Sequence, residues 1–270
     1  MPSFSLKDYH SKSGIQKGRC NFFALLFMGR TGSTFVVDVY DQHPDVLFVG
    51  EALKNFGALP DSDARQEEWL RELWSTENGE KYKAIGFKTK PFDIPDKTGF
   101  IRMLDEFRPT ILILRRANLL KQAISVQRIE QRAESIKQDI GEEKWAKAQV
   151  KNSTWNVFDP KQALARSRVD LEWLDGLLSW LKPATTEFYD FARELDENHG
   201  LDVVYMDYDD LLLDQSAFFE MSFHVLGVSP FQFKQRVHKY TSDRLRTAIE
   251  NYEELSEHYK GTEYEHFLDD

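Results

Sequence analysis

An α/β fold, with a mostly parallel central sheet flanked by helices, is predicted by three observations. Short apolar runs at residues 22–27, 46–49, 84–87, 110–114 and 201–206 read as strands, and the first is continuously apolar, as in a strand buried on both faces. Stretches of helical periodicity alternate with these runs, the pattern of a parallel sheet covered by crossover helices. Finally, the first run leads directly into a Gly/Ser/Thr turn that opens a helix, Met28-Gly29-Arg30-Thr31-Gly32-Ser33-Thr34.

Each element has its own signal. After the turn, Phe35, Val36, Val39 and Tyr40 recur at helical spacing. The second strand, residues 46–49, follows the turn-like His43-Pro44-Asp45 and ends at Gly50-Glu51. Helical periodicity returns at residues 66–74, where Trp69, Leu70, Leu73 and Trp74 share a face. The third strand runs into Lys88-Thr89-Lys90-Pro91, and Pro91 and Pro95 stop it. Residues 110–114, after Pro109, form the strongest strand and end in Arg115-Arg116. Asn118 is placed to cap a helix that extends to about residue 150. A polar loop at residues 151–160 carries Trp155, and a second helical stretch over 161–198 is expected to bend or break near Pro183. The last strand, 201–206, precedes Asp207-Tyr208-Asp209-Asp210 and an amphipathic stretch at 215–226. A final helix is expected over 242–259, with Leu245, Ile249, Tyr252 and Leu255 inward.

Composition narrows the function classes. The chain of 270 residues is read as one domain, with residues 1–20 a loose lead-in and 126–200 a helical insertion. Hydrophobic residues at 41% and charged residues at 30% suit a globular chain in water. A formal charge of −10 disfavours nucleic acid as the main partner unless basic residues are segregated locally. Cys20 is the only cysteine, which excludes an intrachain disulfide and a cysteine-rich metal site. The histidines lack metal-ligand spacing, so no metal is expected. No apolar run approaches the roughly 18 to 20 residues of a membrane span, and residues 1–20 lack a secretory h-region. The expectation is a cytoplasmic protein without an integral membrane segment.

Two turns carry the candidate chemistry. A strand, a Gly/Ser/Thr turn and a helix N-terminus aim backbone N–H groups at an anion, with Arg30 adding charge and Thr31, Ser33 and Thr34 adding hydroxyls around Gly32. The turn lacks the Gly-Lys-[Ser/Thr] ending that cradles a nucleoside triphosphate with Mg²⁺, which speaks against an ATP or GTP hydrolase. Arg115 and Arg116 end a buried strand, where open α/β sheets bind ligands, and Ser125 follows nine residues after Arg116. A guanidinium and a hydroxyl there suit a second phosphate of the same ligand.

Here the chain resembles the P-loop sulfotransferases that use 3′-phosphoadenosine 5′-phosphosulfate. The segment GRTGSTFVVDVYDQHPDVLFVGE is similar to that family's 5′-phosphosulfate loop, its helix and a His-Pro turn leading to a glutamate. LILRRANLLKQAIS resembles the strand, arginine and serine that bind the donor's 3′-phosphate, and VVYMDYDDLLLD resembles a later strand with its acidic segment. The likeness covers most of residues 21–264 and is nearest to bacterial carbohydrate and glycolipid sulfotransferases, the nodulation-factor type included. Many relatives carry a single arginine one residue closer to the serine, so Arg115 and Arg116 compete for that role, with Arg116 favoured.

The resemblance implies the P-loop nucleotide-binding-like sulfotransferase fold and in-line transfer of a sulfuryl group to a hydroxyl of a carbohydrate, glycolipid or small natural product. Adenosine 3′,5′-bisphosphate would be the product. Arg30 and the N–H groups of residues 31–34 would stabilise the leaving group; Lys88, with Lys90 close behind, would assist. Glu51, 21 residues after Arg30, would be the general base. Trp155 and Lys90 would line the acceptor site, and Lys239, with Thr241, would reach the donor from a late basic loop. His43 is read as part of its turn. The alternatives are a nucleotide or sugar kinase and a non-catalytic nucleotide-binding module. Oligomeric state stays open, with room for a homo-oligomer.

Overall fold

The computed structural model describes residues 20–56, 61–141, 166–236 and 244–268. Along these the elements are β1 (Asn21–Phe27), α1 (Ser33–Gln42), β2 (Val46–Val49), α2 (Ser62–Leu73), α3 (Thr76–Lys81), β3 (Ala84–Thr89), α4 (Lys97–Phe107), β4 (Thr110–Arg115), α5 (Leu119–Ile140), α6 (Leu171–Glu197), β5 (Val203–Asp207), α7 (Tyr208–Leu213), α8 (Gln215–Val225), α9 (Leu245–Ala248) and α10 (Tyr252–Tyr259). They fall into two compact units, one holding residues up to 117 and 187–235, the other residues 118–186 and 236–270. No helix among the described residues is long and apolar enough to cross a membrane.

The first unit holds the predicted α/β architecture. Five parallel strands are ordered β2-β3-β1-β4-β5. Residues 23–27 of β1 and all of β3 are buried, which accounts for their near-continuous apolar runs. Packing is close enough to dictate a glycine in β3. Gly86 pairs with Phe23 across the ladder, and a Cβ on it would lie 2.6 Å from the Phe23 ring. That ring stacks on Phe48 at 5.4 Å between centroids and meets Tyr40 edge-on at 5.8 Å. Burying each such ring stabilises the fold by about 1.5–3 kcal/mol. Thus α1 and β2 are fixed to β1 through aromatic contacts.

The strand order places a topological switch at the centre of the sheet. After β1 the chain moves towards the β2–β3 side, and after β4 it moves towards β5, so the turns following these two adjacent strands diverge. The crevice left between such turns is where open α/β sheets take ligands. Both the 28–34 turn and Arg116 sit there.

Some boundaries differ from the sequence expectations. The segment after Pro95 folds as α4, capped by Asp96, which accepts from the Gly99 N–H at 2.9 Å, and it buries Phe100, Met103 and Leu104. β3 runs two residues further than expected, through Lys88 and Thr89. Pro183 does not end its helix: α6 is continuous from Leu171 to Glu197, with Leu174, Leu178, Leu181, Phe188 and Leu195 all buried. Burial of that apolar stripe outweighs the one hydrogen bond a proline removes.

In the second unit, Asn118 caps α5 as expected, accepting from the Lys121 N–H at 2.7 Å. The expected last helix is instead two pieces, α9 and α10. Ile249 leaves helical geometry to bridge Ser167, and the Asn251 amide exchanges hydrogen bonds of 2.9 and 3.0 Å with the backbone of Val169. Tertiary pairing overrides local propensity there. Leu245, Ile249, Tyr252 and Leu255 are all buried nonetheless.

Candidate active site at the carboxyl edge of the sheet

The turn after β1 is built by its own backbone. Arg30 has φ 68° and Gly32 φ 84°, two left-handed residues within three positions. For arginine that conformation carries strain of about 1 kcal/mol or more, and such strain gathers at ligand sites. Thr31 is buried, and its hydroxyl donates to the Met28 carbonyl at 2.8 Å, closing the turn internally. Gly32 serves as N-cap of α1, and no side chain caps that helix. Its first-turn N–H groups, with the positive end of the helix dipole, therefore present a positive potential suited to an anion. No acidic residue occupies the first turn.

Arg116, the residue after β4, joins this turn. Its Nη1 donates to the Arg30 carbonyl at 2.9 Å, and its guanidinium lies over the Tyr208 ring at 4.5 Å. Arg116 is 8% exposed, and its Nε has no hydrogen-bond partner among the described residues. Tyr208, the first residue of α7 just after β5, closes the arrangement: a Cβ on Gly32 would lie 2.8 Å from its ring. Burial, together with the Arg116 charge, pushes the Arg30 guanidinium down to about 10. Burial likewise lowers Arg116. Two desolvated cations held this close favour a bound anion.

Arg115 points its chemistry elsewhere. It pairs with Asp207 across the β4–β5 ladder, with Nη2 to Oδ2 at 2.8 Å and a second, very short bond from Nε. Tyr205 lies beneath it at 5.1 Å. Of the two competing arginines, Arg116 is the one on the cradle. Ser125 is buried within α5, in the second unit.

On the other side of β1, Glu51 meets both lysines. Its Oε1 lies 3.1 Å from Lys88 Nζ and its Oε2 2.6 Å from Lys90 Nζ. The register accounts for this. Val49 pairs with Phe87, so the chain two residues past Val49 lies opposite the end of β3, where residues 88 and 90 share a side. Lys90 also reaches Asp93 at 3.0 Å, and both ammonium groups sit over the Phe27 ring, at 4.9 and 5.4 Å. Burial alone would raise the Glu51 carboxyl, but the two lysines outweigh it and hold it below the usual carboxylate range. For Lys88 burial dominates and lowers the ammonium despite Glu51, helped by the charges of Lys90 and Arg30. For Lys90 burial is outweighed by Glu51 and Asp93, and the ammonium is raised.

Among the described residues, Arg30, Lys88, Lys90 and Arg116 gather along this edge, where Lys88 and Lys90 pair with Glu51, Lys90 also pairs with Asp93, and Asp209 adds its charge near Arg116. In a chain of charge −10 this is a segregated positive site. His43 is structural: Nδ1 accepts from the Asp45 N–H at 3.1 Å, which leaves Nε2 to donate to the Ser229 carbonyl at 2.9 Å. Trp155, Lys239 and Thr241 lie outside the described residues. An open cleft of about 590 Å³ in the second unit is lined by Gln131, Arg168, Asp170, Asn251 and Glu254 among others, and by none of the predicted site residues.

Three participants escape sequence reasoning: Tyr208, Asp93 and Phe27. Only strand order brings Tyr208 under Gly32. Asp93 carried a readable signal, a carboxylate three residues after a lysine across a Pro-initiated turn. No family model matches the chain, and no curated protein matches it.

Proposed function

We propose that this chain is a sulfotransferase that moves a sulfuryl group from 3′-phosphoadenosine 5′-phosphosulfate to a hydroxyl of a carbohydrate, glycolipid or small natural product. The observation that carries this reading is the bond from Arg116 to the Arg30 carbonyl at the switch point, which builds a two-cation anion cradle on the sheet edge that also bears Glu51. The residues fit a nucleotide anion. The uncapped end of α1, the unpartnered Nε of Arg116 and the close approach that only glycine allows at residue 32 are features of such a cradle.

When bound, the donor supplies an activated sulfuryl group on a phosphate leaving group. Arg30 and the N–H groups at the start of α1 hold its negative charge, and Arg116 keeps the turn in shape while adding its own. Lys88, desolvated and beside Glu51, neutralises charge as it grows on the leaving oxygen. Glu51 takes the proton from the acceptor hydroxyl, using an oxygen that a lysine must first release. The cytoplasm and a hydroxyl-bearing acceptor belong with this reading.

A transfer screen with radiolabelled donor across glycans, lipids, phenols and peptides tests it. We expect label in a hydroxyl acceptor, with Glu51→Gln slowed by about 100-fold or more. Full transfer by both Glu51→Gln and Arg30→Ala would overturn the residue roles.

A further inference from the structure

Lys88 and Lys90 both contact Glu51, but they are held differently. Lys90 is fixed from several sides. Its Nζ lies 2.6 Å from Glu51 Oε2 and 3.0 Å from Asp93 Oδ2, with the Phe27 and Phe92 rings at 5.4 and 5.5 Å. The turn that returns Asp93 to it is closed by the Asp93 N–H donating to the Lys90 carbonyl at 2.9 Å. The Lys90 and Asp93 side chains are 15% and 12% exposed, so this seat is shielded from water. Lys88 has one ion-pair partner among the described residues, Glu51, at the longer distance of 3.1 Å. Both ammonium groups lie over the Phe27 ring, but an arriving anion can draw Lys88 away at the cost of one ion pair, while displacing Lys90 would break two.

We propose that Lys90, seated by Asp93, is a positioning residue for Glu51: it fixes one carboxylate oxygen so that the other, now on Lys88, is the one presented to the acceptor's proton. The proposal rests on the sulfotransferase reading. In this arrangement Lys88 is the exchangeable cation and Lys90 the permanent one. Lys90 therefore governs both where Glu51 Oε1 lies and how readily it takes a proton. The charged groups facing Glu51 are Lys88 from β3 and Lys90 from the turn after it, with Asp93 behind Lys90 and Arg30 near Lys88.

The test pairs a titration with kinetics. In protein labelled with ¹³C at glutamate carboxyls, the Glu51 signal is assigned by its loss in Glu51→Gln and followed against pH. We expect Lys90→Met to raise the Glu51 midpoint by about one pH unit or more, and Lys90→Arg to restore it. The acid limb of kcat moves up by the same amount in Lys90→Met, while the donor KM stays within about twofold, because Glu51 and not the donor has lost its partner. An unmoved midpoint, or an effect confined to donor KM, would overturn the proposal. Asp93→Asn keeps both lysines and covers the case of a Lys90→Met that does not fold. We expect kcat to fall by about tenfold or more with no upward shift of the acid limb, since orientation alone is lost, and an unchanged kcat would count against the role. Absence of transfer by the wild type with the carboxyl shift intact would instead defeat the sulfotransferase reading, and with it the catalytic use of this pair.

Discussion

Arg116 donates from Nη1 to the carbonyl oxygen of Arg30 at 2.9 Å, so a cation at the end of β4 holds the strained turn at the end of β1. The two strands are neighbours in the sheet, yet the arginines are 86 residues apart. Arg116 thereby has two tasks, shaping the cradle and charging it. Lysine keeps the charge but cannot reproduce the guanidinium fork. We expect Arg116→Lys to weaken binding of adenosine 3′,5′-bisphosphate by roughly tenfold to a hundredfold, the worth of one hydrogen bond to a charged group. Calorimetric affinities within twofold of each other would show that the fork is not used.

Strain at Arg30 separates stability from binding. Arg30→Gly relaxes a left-handed residue and should raise unfolding stability by about 1 kcal/mol in a denaturant titration. The same change removes a cradle charge and should lower anion affinity by about tenfold or more. A variant that loses stability, or that keeps its affinity, would contradict the role assigned to this turn.

Gly32 and Gly29 offer a matched pair. A methyl group at Gly32 meets both a φ of 84° and the Tyr208 ring at 2.8 Å, whereas nothing lies within 4 Å of one at Gly29. Gly32→Ala should therefore cost about 2 kcal/mol or more, and Gly29→Ala should leave stability within about 0.5 kcal/mol or raise it slightly. Equal losses in the two would mean that Tyr208 does not close on the turn.

The lysine–glutamate cluster gives stability a definite pH dependence. Glu51 titrates below its unfolded range, so its contribution is present above the unfolded carboxylate pKa and is lost as pH falls through the folded value. Lys90 is raised, so its contribution is present below the unfolded lysine pKa and fades as pH climbs through the folded one. Lys88 is lowered, and between its folded and unfolded values the unfolded chain binds more protons, which makes stability rise with pH over that window. Glu51→Gln should flatten the acid side of the stability profile. An acid limb identical to that of the wild type would show that Glu51 is not held by its lysines.

Much of the fold is legible in the sequence. Apolar runs mark all five strands: β1, β3 and β4 are buried on both faces and leave no alternation to misread, while β2 and β5 alternate buried and half-buried positions. The glycine and hydroxyl pattern marks the turn after β1, and Glu51, Lys88 and Lys90 stand out only singly in the sequence. Their meeting was not legible, since it follows from the pairing of Val49 with Phe87, a matter of register between strands far apart in sequence. Tyr208 was hidden for the same reason. Helix α4 follows two prolines that mask it, although Phe100, Met103, Leu104 and Phe107 repeat at helical spacing behind an Asp96 cap. The break between α9 and α10 has no local signal, because a bridge to Ser167 causes it.

The central claim is that the cradle at Arg30 and Arg116 takes a phosphosulfate donor rather than a nucleoside triphosphate. Calorimetric titration with adenosine 3′,5′-bisphosphate in the absence of Mg²⁺, set beside ATP with and without Mg²⁺, tests it most directly. We expect micromolar or tighter binding of the bisphosphate, about −8 kcal/mol or more favourable, abolished in Arg30→Ala and absent for ATP. Binding of ATP with Mg²⁺ and none of the bisphosphate would contradict the claim and point to a kinase.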